Sequence, residues 1–233
     1  MTMRGVATLL FCLSTSVCKV RAQGADTHLM REAEAVRAEI ARSAAGLRQY
    51  AWTEQTEVLV SGKMKSMNAF TCGYDTSGAL SKTPLAKGKQ MDAGRTTSNR
   101  PAIRGKADMR DYIERAVSRI HTYVPPDPKQ IDYLLQNGHA SLGQSQEGKS
   151  ELRLTHYFVE GDSLNFIYDP QSKVLLRATI ASQLGSPKDP VALEAVFETL
   201  PDGVNHLKSA LLKAKARKVE VRMRNLDYRK AGP

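Results

Sequence analysis

The chain has 233 residues, with 34 Lys and Arg against 24 Asp and Glu and a formal net charge of +10. At 41% hydrophobic and 25% charged residues, its composition is that of a globular protein, which excludes wholesale disorder and collagen-like structure. Three Cys are too few for a disulfide scaffold, so the basic balance is the one compositional hint of a partner.

Met1–Arg4 carries one positive charge, and Gly5–Val17 (GVATLLFCLSTSV) follows with none. This apolar run has the length of a signal-peptide core and falls short of the ~20 residues a spanning helix needs. Val20-Arg21-Ala22 offers a cleavage site, so the expectation is a signal peptide over residues 1–22, a cut after Ala22 and export to the periplasm. Cleavage before Cys18 to give a lipoprotein is the weaker alternative, because Val17 stands where a small residue is wanted. The leader takes Arg4, Lys19, Arg21, Cys12 and Cys18 with it. Cys72 is then the single mature cysteine, and residues 23–233 read as one domain.

Asp26-Thr27 can cap a helix running to about Arg48, with Met30, Ala33, Val36 or Arg37, Ile40, Ala44 and Leu47 on one stripe. The period then changes to two. Tyr50–Val60 and Met64–Tyr74 read as strands joined at Ser61-Gly62-Lys63, and Ala79–Thr83 begins a third. Residues 84–105 hold Pro84, Gly88, Gly94 and Pro101 among many Lys and Arg, the signature of a mobile basic loop. A helix follows at 106–123, with Met109, Tyr112, Ile113, Ala116, Val117 and Ile120 on its apolar face. Asp127 caps a second, short helix with Pro128 at its first position, and Gly138 closes it near residue 137. From His139 onward the chain reads as six or so strands, five of them with alternation between turns: Leu152, Leu154, His156 and Phe158; Leu164, Phe166 and Tyr168; Val174, Leu176, Ala178 and Ile180; Val191, Leu193, Ala195 and Phe197; Val219, Val221 and Met223. The expected class is α+β, a large curved antiparallel sheet with helices on one face.

Gly161-Asp162-Ser163-Leu164 spells the motif of the GDSL esterases, but here it falls on a hairpin turn. The later pair Asp202 and His206 lacks that family's D-x-x-H spacing. No P-loop, no G-x-G-x-x-G and no helical His pair is present. No catalytic residue, metal or cofactor is therefore expected. Residues 82–110 hold eight Lys or Arg against Asp92 and Asp108, and residues 208–230 hold nine against Glu220 and Asp227. These basic segments lack the interleaved aromatics that stack bases, so nucleic acid is not an expected partner. A basic contact surface of Lys87, Lys89, Arg95, Arg100 and Arg104, facing an envelope protein or an anionic membrane surface, is.

The helix followed by Tyr50-Ala51-Trp52-Thr53-Glu54-Gln55-Thr56-Glu57-Val58 resembles the opening of the LolA-like superfamily. Leu164–Pro170, Lys173–Leu176, Phe197, Leu200-Pro201-Asp202-Gly203 and a last strand ending at Tyr228 resemble its closing strands. The superfamily includes the periplasmic carrier of outer-membrane lipoproteins and the regulator RseB. The resemblance implies an antiparallel half-barrel of about nine to eleven strands with helices as a lid on its concave face. The helices at 106–137 fit that lid, while the basic loop departs from the compact carrier. It also implies a non-enzymatic binder of a lipid, lipoprotein or other apolar ligand, with an envelope-sensing, protein-interaction module of RseB type as the alternative. The residues of inward parity are the candidate cavity lining: Trp52, Val58, Phe70, Leu154, Phe158, Phe166, Leu176, Ile180, Leu193, Phe197 and Val221.

Overall fold

The structure is a computed structural model, and it describes residues 16–85 and 100–231. Helix α1 (Ser16–Leu47) leads into strands β1 (Tyr50–Val60), β2 (Lys63–Tyr74) and β3 (Leu80–Pro84). Helices α2 (Arg100–His121) and α3 (Pro128–Gln136) follow. The remainder is a meander of β4 (Ala140–Gln144), β5 (Ser150–Thr155), β6 (Ser163–Asp169), β7 (Val174–Gln183), β8 (Pro190–Thr199), β9 (Asn205–Ala214) and β10 (Val219–Lys230).

All ten strands form one open antiparallel sheet, in the order β3-β2-β1-β10-β9-β8-β7-β6-β5-β4. This is the expected α+β half-barrel. Its first and last strands meet inside the sheet, with Tyr50 opposite Lys230 and Val60 opposite Val219. The two edges are therefore β3 and β4, the strands on either side of the segment that carries α2 and α3. That connection has to run from one edge of the sheet to the other, which brings both helices onto the concave face beside α1.

Local chemistry sets the elements. Ser61 and Gly62 have φ of 50° and 74°, the left-handed pair that a two-residue hairpin between twisted strands requires. Asp127 caps α3 by accepting from the Lys129 amide at 2.9 Å, with Pro128 just inside the helix, as expected.

Two helix starts differ from the expectation. Helix α1 is already helical at Ser16, the first described residue, so Asp26-Thr27 lies inside it rather than capping its start. Helix α2 is already helical at Arg100, where the described residues resume, rather than starting at Lys106, so Arg100 and Arg104 lie in a helix and not in a loop. Lys87, Lys89 and Arg95 lie outside the described residues, as do residues 1–15 of the expected signal peptide. Among the described residues no helix is long and apolar enough to cross a membrane.

The core lies between the helices and the β5–β10 part of the sheet. Ala33 and Val36 of α1, Tyr112, Ala116 and Ile120 of α2, and Ile131 and Leu134 of α3 face Leu152, Leu154, Leu164, Phe166, Ile180, Val191 and Leu212. One close approach fixes the end of α1. A Cβ added at Gly46 would lie 2.8 Å from Val204 Cγ2 and 3.0 Å from Cγ1. Ala is the better helix former by about 1 kcal/mol, yet Gly46→Ala is expected to lower stability by about 1–3 kcal/mol through overpacking. In a Val204→Ala background the same change is expected to stabilise. Urea denaturation of the two single variants and the double variant checks both signs.

Candidate functional site

The expected ligand cavity is the apolar sheet face under the helices, which buried side chains fill. The sequence reading brings much of it together. Leu154, Phe166 and Ile180 are buried beneath the helices, and Leu193, Phe197 and Val221 pack partly buried around them. Val58 sits opposite Val221 across the β1–β10 ladder, half-buried. Phe70 is half-buried on β2, opposite Glu54.

Three candidates, Leu176, Phe158 and Trp52, fall elsewhere. Leu176 is displaced by a bulge between Ile167/Tyr168 and Arg177/Leu175 that shifts the register of β6 against β7. The bulge reverses the parity, so Leu175, at 3% exposure, takes the inward place. Phe158 is 46% exposed. Strand β5 stops at Thr155 and His156 turns out of it at φ 55°, so Tyr157 is the ring that goes inside.

Trp52 belongs to a separate aromatic cluster toward the uncovered β1–β3 wing. It stacks on Tyr228 at 5.5 Å and 15° and leans on Tyr74 at 5.9 Å. His206 closes on Tyr228 at 4.1 Å, and Tyr50 meets it edge-on. Burial holds the His206 ring below its ordinary pKa of 6.5 and pushes the Tyr228 phenol up. The Tyr50 phenol donates to Asp202, which pushes its pKa up to about 12. Nearby, the half-exposed Lys82 ammonium reaches the buried Glu54 carboxylate at 2.7 Å. Cys72 is buried against this cluster as a free thiol, and burial pushes its pKa up.

The seam between helices and sheet is where the sequence pattern was silent. Three tyrosine hydroxyls lie along it. The Tyr112 hydroxyl donates to Asp189 at 2.6 Å, tying α2 to the β7–β8 loop. The Tyr123 hydroxyl, just past α2, donates to Asp162 at 2.5 Å and lies 2.8 Å from the Ser182 hydroxyl of β7. The Tyr157 hydroxyl accepts from the Asp127 amide at the start of α3, at 2.9 Å. Burial, and then the bonds to carboxylates, push the Tyr112 and Tyr123 phenols up to about 12. Periodicity marks Tyr112 as apolar stripe and passes over Tyr123 and Tyr157. A Tyr that is buried needs a partner for its hydroxyl, and that is the one signal that could have found them.

The Gly161-Asp162-Ser163-Leu164 motif joins this seam through its acid, not its serine. Gly161 turns the chain at φ +83°, and Ser163 opens β6. Asp162 is 2% exposed. Its Oδ2 accepts from Tyr123 and from the amides of Phe158 and Val159 at 3.0 and 3.1 Å. Its Oδ1 is buried without a hydrogen-bond partner among the described residues. What the turn places in the seam is thus the Asp162 carboxylate, bonded to Tyr123 and to two backbone amides.

The molecule is thus an open half-barrel with an apolar concave face, covered by helices that three tyrosine hydrogen bonds tie to the sheet. No protein-family model matches the chain, and no curated protein matches it either. Among solved structures it is similar to a LolA superfamily protein from Nitrosomonas europaea, at 7% identity and a TM-score of 0.40, over 84% of this chain and 94% of that one. It is similar to a DUF1329 family protein from Desulfovibrio piger ATCC 29098, at 8% identity and 0.36, over 84% and 92%. It is also similar to a domain from Vibrio parahaemolyticus assigned to outer membrane lipoprotein sorting, at 8% identity and 0.38, over 84% and 91%.

Proposed function

We propose that this chain is a non-enzymatic, exported binding protein that takes the apolar chain of a lipid, a lipoprotein or a like ligand between its helices and the concave face of its sheet. One observation carries the reading. The apolar sheet face is roofed by helices whose attachment at the rim is a short series of side-chain hydrogen bonds, through Tyr112, Tyr123 and Tyr157. Leu154, Phe166, Ile131 and Leu134 fill the space between, all at 2% exposure or less, so this is the closed form.

The energetics allow exchange. Each buried methylene contributes about 0.8 kcal/mol, so an acyl chain of about 14 of them contributes on the order of 10 kcal/mol. That matches the ~5–15 kcal/mol stability of a whole domain and is enough to offset parting the helices from the sheet.

Native mass spectrometry of protein purified from the periplasm, with solvent extraction of what it carries, tests the reading. The expected result is a stoichiometric acyl-chain ligand. Protein recovered empty, which then takes up no added fatty acid, overturns it.

A further inference from the structure

Outside the packed core, one cleft at the helix–sheet seam is built for a charge. It has a volume of about 570 Å³, within the ~300–1,000 Å³ of small-molecule sites. Arg115, Ser118, Arg119 and Thr122 of α2 form one wall, and Val159 with Gln183–Gly185 forms the other. We infer that this cleft binds the anionic head of an amphiphile, a phosphate or a carboxylate, while the apolar chain enters beneath the helices. The chain part of this rests on the proposed function; the head part rests on the cleft.

Four observations converge. First, Arg115 and Arg119 stand one turn apart on the same helical face. Like charges at that spacing repel by some tenths of a kcal/mol, which an anion between them would relieve.

Second, neither arginine has an ion pair among the described residues, and three of the acids around them are engaged elsewhere, Asp111, one turn before Arg115 on α2, being the exception. Glu114 is held by Arg110 at 2.8 Å, Asp189 accepts from Tyr112 and Asp162 from Tyr123.

Third, Arg119 is held in place. Its Nε donates to Ser182 Oγ at 3.0 Å, and its guanidinium lies 5.4 Å over the Tyr123 ring. Arg115 lies 5.9 Å over the Tyr112 ring. The free N–H groups of a fixed guanidinium form the planar fork that suits phosphate and carboxylate oxygens.

Fourth, the lining mixes hydroxyl and amide donors with the apolar Val159 and Leu184, the mixture a head joined to a chain requires. The same hydrogen-bond chain runs on from Arg119 through Ser182 and Tyr123 to Asp162, so head recognition and the closure of the seam share one set of groups.

Binding of three probes to the full chain tests the inference: hexadecyl phosphate, hexadecanol and inorganic phosphate, each by titration calorimetry. Wild type is expected to prefer hexadecyl phosphate over hexadecanol by about tenfold or more, and to bind inorganic phosphate far more weakly. Arg115→Gln, which leaves the Arg119–Ser182–Tyr123–Asp162 chain intact, is expected to remove most of that preference while leaving hexadecanol affinity unchanged, which also shows that it is folded. Equal affinity of wild type for the two hexadecyl probes overturns the head site and leaves the acyl reading standing. Failure of both to bind overturns the acyl reading itself. Inorganic phosphate binding as tightly as hexadecyl phosphate overturns the amphiphile and leaves a small-anion site.

Discussion

Asp162→Ala is expected to lower the stability of the folded chain by about 3–5 kcal/mol, among the larger losses a single side chain produces. The carboxylate is 2% exposed, and a single oxygen, Oδ2, accepts from the Tyr123 hydroxyl and two backbone amides. Removing it takes the acceptor from the buried Tyr123 hydroxyl, which keeps only Ser182 Oγ at 2.8 Å, and from the part-buried amides of Phe158 and Val159; a buried donor left unmet costs about 1–3 kcal/mol. Asp162→Asn keeps an acceptor oxygen in place and supplies an amide where the unpartnered Oδ1 now lies. It is expected to lose less than half as much. Ser163→Ala, one residue on, is expected to be nearly neutral. Chemical denaturation of the three variants separates them. A loss under about 1 kcal/mol for Asp162→Ala would remove the seam from any account of how the helices are held.

Leu134→Ala is expected to move stability and ligand affinity in opposite directions. Leu134 of α3 is fully buried, at 0% exposure, against the sheet face. Truncating a leucine in such a place costs about 2–5 kcal/mol, according to how far the site collapses. The lost contacts belong to the closed form alone, in which helix meets sheet. If acyl binding requires them to part, the binding-competent fraction grows, and apparent affinity grows with it. A fluorescent fatty acid is expected to bind Leu134→Ala several-fold more tightly than wild type, at one probe per chain. Reduced stability with unchanged or weaker binding would mean that the concave face is only a core. Leu29→Ala, further out on α1 and only packed against the core's margin, provides a smaller step in the same direction.

Most of the sheet was legible in the sequence because half-buried antiparallel strands carry a period of two and their turns carry Gly, Pro and Asp. The residues that alternated cleanly, such as Leu164, Phe166 and Tyr168, are all buried. Alternation fails as a guide where the backbone itself slips. The bulge in β7 exchanges Leu175 for Leu176, and the left-handed turn at His156 sends Phe158 out and Tyr157 in. Neither irregularity leaves a mark that a hydrophobic pattern would register. Strand β9 hides for another reason. Its sequence Asn205–Ala214 places Leu211 beside Leu212, so apolar residues occur on both faces and no period stands out. Of the candidate cavity, the central residues were legible and the rim was not. The rim is made of tyrosines, serines and aspartates whose meaning lies in partners tens of residues away, as in Tyr112 with Asp189 or Tyr123 with Asp162.

The pairing of β1 with β10 sets the order in which this sheet can be assembled. Tyr50 lies opposite Lys230, and the Ala231 amide donates to the Gln49 carbonyl at 2.8 Å. The hairpins from β4 to β9 join neighbours in sequence and can form as they are made. The β1–β3 wing cannot join them until residues 219–230 exist, because β10 is its sole link to the rest of the sheet. Contacts that span nearly the whole chain are slow to form, so the last strand acts as a keystone. Until it is in place, the two halves of the sheet are separate.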